Sequence, residues 1–329
     1  MNRFDIPVAV FMFKRPEKTA MIIDQIAKVK PLKLYLIADG PRNDQEKEAV
    51  EVCRREVEKH IIWDCEVIKN YAPVNRGVYQ NIGGGAQWVF GKEEKAIFLE
   101  DDNFPALSFF EYCKELLERY ENDTRILWIC GTNYMGKSEF EDGSDYCFTK
   151  LMLPCGWASW SNKFLKYYDG HLELYRNEVI KGRVKNTYNN KLLYKHDYPQ
   201  WDRILENLNK GDNPRSWDYQ MAFSLRVHNM FGIAPKYNQI TNIGADELSI
   251  HGGVSMNDVM TQRFCEVPIY DLSFPLKHPQ SVMVDGKFEK ETEDKIILPL
   301  RSRLKSSIVK YAKSFLGLKL YYRILRHLK

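Results

Sequence analysis

No part of this 329-residue sequence is apolar for long enough to cross a bilayer, since no run of about 18 uncharged apolar residues occurs. The N-terminal segment passes directly into strand-like residues, without the hydrophobic stretch and small residues of a secretory signal. The seven cysteines are an odd number with no C-x-x-C pair, which argues against a disulfide framework or a zinc site. We therefore expect a cytoplasmic protein with reduced thiols.

Glycine-rich phosphate loops are also missing. The run Gly83–Gly85 has neither the dinucleotide-binding fingerprint nor the P-loop pattern, so we do not expect it to cradle a phosphate. A hydrophobic content of 44%, with 13% aromatic residues, is ample for a core. The sequence is that of a folded protein in which any phosphate ligand is held by other means.

Positive charge is concentrated at the end of the chain, where residues 301–329 contain nine Lys and Arg and no Asp or Glu. Subtracting these nine charges from the net charge of +4 leaves residues 1–300 at −5, so we expect no nucleic-acid partner. We predict that residues 302–329 form an amphipathic helix on an anionic membrane surface, which would place the protein peripherally on the inner face of the cell membrane. A helix packed against the rest of the chain is the alternative. The apolar anchors of the predicted membrane helix are Leu304, Ile308, Phe315, Ile324 and Leu325.

Short apolar runs alternate with helical segments in the first half of the chain. This β-α-β-α-β order predicts an α/β fold with a mostly parallel sheet, and such sheets bind ligands beyond the carboxyl ends of their strands. The predicted strands are Val8–Phe13, Leu34–Ala38, Cys65–Asn70, Ala96–Leu99 and Ile126–Cys130. The predicted helices are Pro16–Lys30, Asp44–His60, Phe104–Tyr120 and the stretch that Trp217 opens and Val227 ends.

Polar residues follow these strands directly, and the most distinctive are the three consecutive carboxylates Glu100, Asp101 and Asp102. Side by side after a buried strand, they would resist joint ionisation unless a cation were present. Their hard oxygen atoms suit Mg²⁺ or Mn²⁺, which could stabilise a diphosphate leaving group as a Lewis acid. The alternative is a solvated acidic turn at a strand end.

The run FLEDDNFPALSFFEYCKELL, between NRGVYQNIGGGAQWVF and WICGTNY, resembles the centre of the GT-A glycosyltransferases. The similarity is to the N-acetylglucosaminyltransferase I type and related bacterial polysaccharide enzymes, and it covers roughly residues 5–255 in motif order. It implies a Rossmann-like GT-A fold. It further implies that Asp102 binds Mn²⁺ or Mg²⁺ while Glu100 and Asp101 support the donor sugar, the ribose and the metal-bound waters.

The same resemblance implies further nucleotide contacts. Arg15 and Asp39 match positions that hold the base, usually uracil, and Asn81 matches a position that contacts the nucleotide or orients a neighbouring loop. For Arg15 and Asp39 the alternative is an exposed loop charge, and Lys14 could serve in place of Arg15.

On the acceptor side, Trp157 lies in a segment that resembles the family's G-W loop, and Trp217 precedes Asp218, the implied catalytic base. His251 matches a late histidine that binds the metal or the diphosphate. The tryptophans could instead be core residues, and Asp218 could be a helix-terminal aspartate. Asp202, which also follows a tryptophan, is the rival base.

These features predict a metal-dependent, inverting glycosyltransferase that moves a sugar from a UDP-linked donor to a glycan or lipid-linked glycan in bacterial surface polysaccharide synthesis. A non-catalytic, membrane-associated protein that binds nucleotide sugars is the alternative. A nucleotidyltransferase is disfavoured because the sequence FMFKRPEKT contains no glycine-rich loop. The predicted boundaries are a catalytic domain over residues 1–274, with nucleotide and acceptor halves of about 1–130 and 131–274, a linker over 275–300 and the basic helix over 301–329.

Overall fold

The computed structural model describes residues 4–246 and 259–297. Its strands and helices largely alternate over residues 8–130. The strands are β1 Val8–Met12, β2 Lys33–Ala38, β3 Glu66–Tyr71, β4 Lys95–Glu100, β5 Asn103–Pro105, β6 Ile126–Cys130, β7 Tyr146–Thr149, β8 Trp157–Trp160, β9 Phe231–Pro235 and β10 Ile240–Asn242. The α-helices are α1 Pro16–Val29, α2 Lys47–Lys59, α3 Gly85–Phe90, α4 Ser108–Arg119, α5 Ser161–Tyr167, α6 Glu178–Val184, α7 Lys191–Asn209, α8 Asp218–Val227, α9 Val259–Phe264 and α10 Gly286–Thr292.

Eight strands form one central sheet in the order β3-β2-β1-β4-β8-β6-β9-β7. Strands β3, β2, β1 and β4 pair in parallel, β8 runs antiparallel to both β4 and β6, and β9 is parallel to β6. Six strands therefore point one way and only β8 and β7 point the other. The predicted α/β class with a mixed, mostly parallel sheet flanked by helices is confirmed.

Helices cover both faces of this sheet, and alternate residues of its strands supply the two cores. In β1, Ala9 and Phe11 pack towards α3, α5, α7 and α8, whereas Val8, Val10 and Met12 pack towards α1, α2 and α4. All five side chains are at most 3% exposed. A strand buried on both faces is expected to be apolar throughout, as this one is. The polar residues that follow such strands are therefore placed at the edge of the sheet.

The predicted helix Phe104–Tyr120 is wrong at its start. Residues Asn103–Pro105 form β5, which pairs antiparallel with β10, and α4 begins only at Ser108. The proline at position 105 favours an extended conformation for the residue before it, and the partner strand lies more than a hundred residues away. The five predicted strands agree with the structure to within one residue at each end. Helix α2 follows a short 3₁₀ turn over Asp44–Glu46.

The segment after residue 274, predicted as a linker, packs against the sheet where the structure describes it. Helix α10 inserts Phe288 into the core at 4% exposure. Its neighbour Glu289 accepts hydrogen bonds from the Thr149 hydroxyl, at 2.8 Å, and from the backbone N–H of Lys150. The predicted basic helix over residues 301–329 lies outside the described residues. In residues 4–246 and 259–297, no helix combines the length and the apolar character that membrane crossing requires.

Candidate active site

A cavity of about 310 Å³ opens at the carboxyl ends of β1, β2 and β4. This is the edge at which a parallel sheet binds its ligands. The cavity gathers eight of the predicted site residues, which come from five separate parts of the chain: Arg15, Asp39, Asn81, Glu100, Asp101, Asp102, Trp217 and Asp218. His251 lies outside the described residues, so its predicted contact with a metal or phosphate stays a prediction.

Two hydrogen bonds from main-chain N–H groups hold the turn that carries the three consecutive carboxylates. Glu100 ends β4, and the turn formed by Asp101 and Asp102 leads into β5. The Asp101 carboxylate accepts a hydrogen bond from the backbone N–H of Phe13 at 3.3 Å, and the Asp102 carbonyl accepts one from Ile243 N–H at 2.8 Å. The acidic motif is thus tied to the end of β1 and to the segment after β10.

The side chain of Asn103 holds the same turn through two hydrogen bonds. Its side-chain amide donates to Asp102 Oδ1 at 2.7 Å, and its Oδ1 accepts the backbone N–H of Gly156 at 2.8 Å. Close by, a Cβ atom added to Gly244 would collide with Asp102 Oδ2, so only glycine allows the chain to approach the carboxylate this closely. Asn103 and Gly244 were not predicted as site residues, because their contacts depend on segments far away in the sequence.

Arg15 is not an exposed loop charge. Its Nη1 lies 2.9 Å from Asp101 Oδ1 and 3.3 Å from Asp102 Oδ2, and its Nη2 lies 3.1 Å from Asp246 Oδ1. The side chain is only 11% exposed. Lys14, considered as a substitute for Arg15, instead pairs with Glu46 at 2.7 Å. Arg15 is thus the cation that contacts the acidic motif in the described part of the chain.

One arginine does not balance the negative charge of this site. Burial, and then repulsion by Asp102, Asp101 and Asp218, holds the pKa of Glu100 well above its ordinary value. Burial and Asp102 likewise raise the pKa of Asp101 to about 6, although Arg15 acts in the opposite direction. The Glu100 carboxylate forms no hydrogen bond within the described residues. Such an uncompensated cluster of oxygen donors fits a bound divalent cation.

The protein would supply only part of the coordination sphere of that cation. Within residues 4–246 and 259–297, no three Asp, Glu, His or Cys side chains converge closely enough to enclose a metal ion by themselves. A site with few protein ligands leaves coordination positions for water or for the oxygen atoms of a ligand, as is common for Mg²⁺. Glu100, Asp101 and Asp102 all line the open cavity, and Asp102 is the metal ligand that the family resemblance implies.

The raised pKa of Glu100 predicts how the free energy of unfolding changes with pH. A carboxyl whose folded-state pKa is raised keeps its proton to higher pH than in the unfolded chain, so the free energy of unfolding falls as pH rises above the ordinary value of 4.5. Glu100→Gln has no carboxyl to titrate at this position, so its free energy of unfolding should not fall with pH for this reason. In chelator at pH 8 we expect the variant to be more stable than the wild type by on the order of 1 kcal/mol, with the difference vanishing near pH 4.

Chemical denaturation at the two pH values measures this difference. Glu111→Gln, at an exposed site on α4, is the matched control and should change little at either pH. A Glu100→Gln protein no more stable than wild type at pH 8 would show that folding does not raise the pKa of this carboxyl.

The Asp39 carboxylate lines the cavity but is already occupied by donors of the protein, so its predicted contact with a base stays a prediction. Its Oδ1 accepts the N–H groups of Gly40, at 2.8 Å, and Arg76, at 2.7 Å. Its Oδ2 accepts the Asn75 amide, at 2.9 Å, and the N–H of Gly77, at 3.1 Å. Four donors occupy the roughly four lone-pair positions of a carboxylate. A base could bind Asp39 directly only by displacing one of them, so the side chain mainly fixes the 75–77 loop at the cavity wall.

Asn81 is oriented by an arginine that sequence reasoning missed. Arg76 Nη2 donates to Asn81 Oδ1 at 2.7 Å, and Arg76 Nη1 donates to Asn70 Oδ1 at 3.0 Å. Because the oxygen of Asn81 is used in this way, its amide N–H₂ is the group left for a ligand in the cavity. The predicted role of Asn81 in loop orientation or nucleotide contact stays a prediction. In a nucleotide contact, its side chain would act as a hydrogen-bond donor.

Asp218 is the first residue of α8 and lines the cavity. The hydroxyl of Ser216 donates to Asp218 Oδ1 at 2.6 Å and lies 3.3 Å from the N–H of Tyr219. Ser216 therefore satisfies the helix end, and it also fixes one oxygen of the carboxylate. The second oxygen has no partner within the described residues and is available to a substrate hydroxyl.

The rival base Asp202 does not belong to this site. It lies on α7, where its Oδ1 accepts hydrogen bonds from Tyr175 at 2.9 Å and from Lys181 at 2.7 Å. It does not line the cavity. The choice of Asp218 over Asp202 as the candidate base is thus supported by position.

Trp157 is a core residue and does not line the cavity, where its predicted contact with a sugar would have to be made. Its ring is 1% exposed and stacks between Phe98, at 4.0 Å between centroids, and Trp128, at 4.2 Å. Phe98, Trp157 and Trp128 thus form a column of stacked rings. Trp217 packs on this column, 5.6 Å from Trp157, and also lines the cavity. The column supports β4 just below the acidic motif. In the segment that resembles the G-W loop, residues 154–160, Pro154 and Cys155 line the cavity instead.

No protein-family model and no curated protein sequence matches this chain. Distant likenesses to solved structures do exist. The mannosyltransferase PcManGT from Pyrobaculum calidifontis, in complex with GDP-Man and Mn²⁺, is 12% identical, with 69% of this chain and 71% of that chain covered and a TM-score of 0.36. A UDP-glucose pyrophosphorylase complexed with UDP-glucose is 9% identical, with 71% and 91% covered and a TM-score of 0.34.

Mouse xyloside xylosyltransferase 1 is 12% identical, with 40% of this chain and 53% of that chain covered and a TM-score of 0.28. These neighbours are glycosyl- and nucleotidyltransferases. Similarity at this level carries no functional argument for this chain.

Proposed function

We propose that this protein is a metal-dependent glycosyltransferase that uses a nucleoside-diphosphate sugar. The observation that carries the proposal is the cavity in which an undercompensated carboxylate cluster, Glu100 to Asp102, lies together with a separate carboxylate, Asp218. The first group suits a divalent cation with a diphosphate, and the second suits proton removal from a hydroxyl.

Bound at Asp102, with Asp101 and Glu100 beside it, the cation would act as a Lewis acid that stabilises the departing diphosphate. Arg15 lies next to these carboxylates, and the guanidinium group suits a phosphate. Asn81 offers an N–H₂ donor to the nucleotide, and Asp39 keeps the neighbouring loop in place. We propose UDP as the nucleotide, in line with the family that the sequence resembles.

Asp218 accepts the proton of an acceptor hydroxyl, and Ser216 keeps the carboxylate oriented. The acceptor oxygen forms its bond to the anomeric carbon while the bond from that carbon to the diphosphate oxygen breaks. A single displacement inverts the anomeric configuration and needs no nucleophilic side chain. We propose a glycan or lipid-linked glycan as the acceptor, in bacterial surface polysaccharide synthesis. The proposed peripheral attachment to the inner face of the cell membrane depends on residues 301–329.

The connection from β1 to α1 argues against a nucleotidyltransferase. It consists of Phe13, Lys14 and Arg15 and leads directly into Pro16, so it has no glycine and offers no backbone cradle for a triphosphate. Arg15 in this connection turns towards the acidic motif. The connection thus supplies a charged side chain where a nucleotidyltransferase would need a flexible backbone.

A thermal-shift screen of nucleotide sugars with and without Mn²⁺ tests the proposed function. We expect one nucleotide sugar to raise the melting temperature only when Mn²⁺ is present, since a ligand at 100 times its Kd stabilises the native state by about 2.7 kcal/mol. The stabilising donor should also be hydrolysed slowly without an acceptor. Stabilisation that is the same in chelator, or formation of a nucleoside triphosphate from nucleotide sugar and pyrophosphate, would refute the proposal.

A further inference from the structure

The position of Arg15 has a consequence for how the proposed metal site fills. Its guanidinium contacts carboxylate oxygens of Asp101 and Asp102, at 2.9 Å and 3.3 Å. These are the carboxylates that would bind a divalent cation. A metal ion and Arg15 in its present position would thus compete for the same negative charge.

The guanidinium is incompletely satisfied in this position. Its Nε is buried and has no hydrogen-bond partner among the described residues. Arginine carries five N–H donors in a rigid fork, so a second, differently oriented acceptor could satisfy it better. The oxygen atoms of a phosphate are such acceptors.

Asp246 provides an anchor around which Arg15 can reorient. Its Oδ1 accepts from Arg15 Nη2 at 3.1 Å, and its Oδ2 accepts from Lys18. Lys18 in turn donates to the Ile243 carbonyl at 2.6 Å. If Nη1 leaves Asp101 and Asp102, the Asp246 contact can still hold the other end of the guanidinium at the cavity.

We infer that Arg15 is a built-in counter-cation that competes with the divalent metal until the diphosphate of a nucleotide takes it over. This inference rests on the proposed metal-dependent function. It makes metal binding weak without nucleotide and strong with it, because the nucleotide gives Arg15 a new partner while the metal takes its old ones. Such mutual strengthening is a coupling free energy between two ligands, and it is reciprocal.

Binding of Mn²⁺ to the full chain, followed by the loss of the free-ion electron paramagnetic resonance signal, tests this inference. In the absence of nucleotide we expect Arg15→Met to bind Mn²⁺ about tenfold more tightly than the wild type, because a like charge close to the ion has been removed. Arg15→Gln, which loses the charge but keeps a hydrogen-bonding side chain, should behave similarly and covers the case in which Arg15→Met does not fold.

UDP serves as the second probe. It should tighten Mn²⁺ binding strongly in the wild type, by a factor within the 5–150-fold range that is typical of coupled sites, and much less in Arg15→Met. Arg42→Met is the matched control, because Arg42 lines the same cavity but pairs with Glu46. We expect it to leave Mn²⁺ affinity without nucleotide within about twofold of the wild type, since its charge lies away from the acidic motif.

Two kinds of failure can be told apart. Equal or weaker Mn²⁺ binding by both Arg15 variants than by Arg42→Met would overturn the counter-cation role while leaving the metal site intact. Full Mn²⁺ affinity in Asp102→Ala, or no Mn²⁺ binding by any variant even with UDP, would overturn the proposed metal site itself.

Discussion

Replacing Asp102 with alanine is expected to abolish turnover and, with it, the requirement of nucleotide-sugar binding for a divalent cation. Asp102 lines the cavity and is held by Asn103 and by the Ile243 N–H. Losing it removes the proposed direct ligand of an ion that must stabilise the diphosphate leaving group, an effect worth several kcal/mol in the transition state. We expect the loss of kcat to reach about a thousandfold or more, as in other sites where charge stabilisation is removed.

The fold should survive this change. Asp102 follows β4 in a turn, and its removal also relieves repulsion on Glu100. Asp123→Ala is the matched control, because that aspartate precedes β6 at the opposite edge of the sheet and pairs with Arg125. Kinetics with Mn²⁺ and with chelator measure both effects. Undiminished turnover of Asp102→Ala in chelator would show that the metal assignment is wrong.

Asp218→Asn is expected to lower kcat by roughly a hundredfold or more with little change in donor affinity. Asparagine keeps the size of the side chain and the contact with Ser216, but it cannot accept the proton of an acceptor hydroxyl. The proposed donor contacts are those of Asn81 and the acidic motif, not of Asp218. The expected signature is therefore a split between kcat and KM.

Asp202→Asn is the control for this prediction. Asp202 follows a tryptophan as Asp218 does, yet it lies on α7, accepts hydrogen bonds from Tyr175 and Lys181, and does not line the cavity. We expect near wild-type kcat from this variant. An inactive Asp202→Asn beside an active Asp218→Asn would mean that the catalytic base has been assigned to the wrong aspartate.

Local pattern was sufficient to predict five of the ten strands, β1 to β4 and β6, and the edge at which the site lies. Strand β1 is apolar at every position because both of its faces are covered, and the polar residue Arg15 follows at the carboxyl edge. A strand of this kind can be recognised from about five residues without knowledge of its partners. The same reasoning located Glu100 to Asp102 and placed them in a cavity.

Contacts between distant segments could not be predicted in this way. The four hydrogen bonds to Asp39 come from the next residue and from a loop 36 to 38 residues later, and Arg15 meets Asp246 across 231 residues. Pattern also cannot tell a tryptophan that faces a sugar from one in the core. For Trp157 the answer depends on Phe98 and Trp128, which come from other strands.

The tryptophan column gives the protein an optical property. The ring centroids of Trp128, Trp157 and Trp217 lie 4.2 to 5.8 Å apart, which is close enough for excitation energy to transfer between the indoles. Only Trp217 of the three lines the cavity. A ligand in the cavity is expected to change the surroundings of Trp217 and, through energy transfer, the emission of the group. We therefore expect the intrinsic fluorescence of the unlabelled chain to report the occupancy of this site.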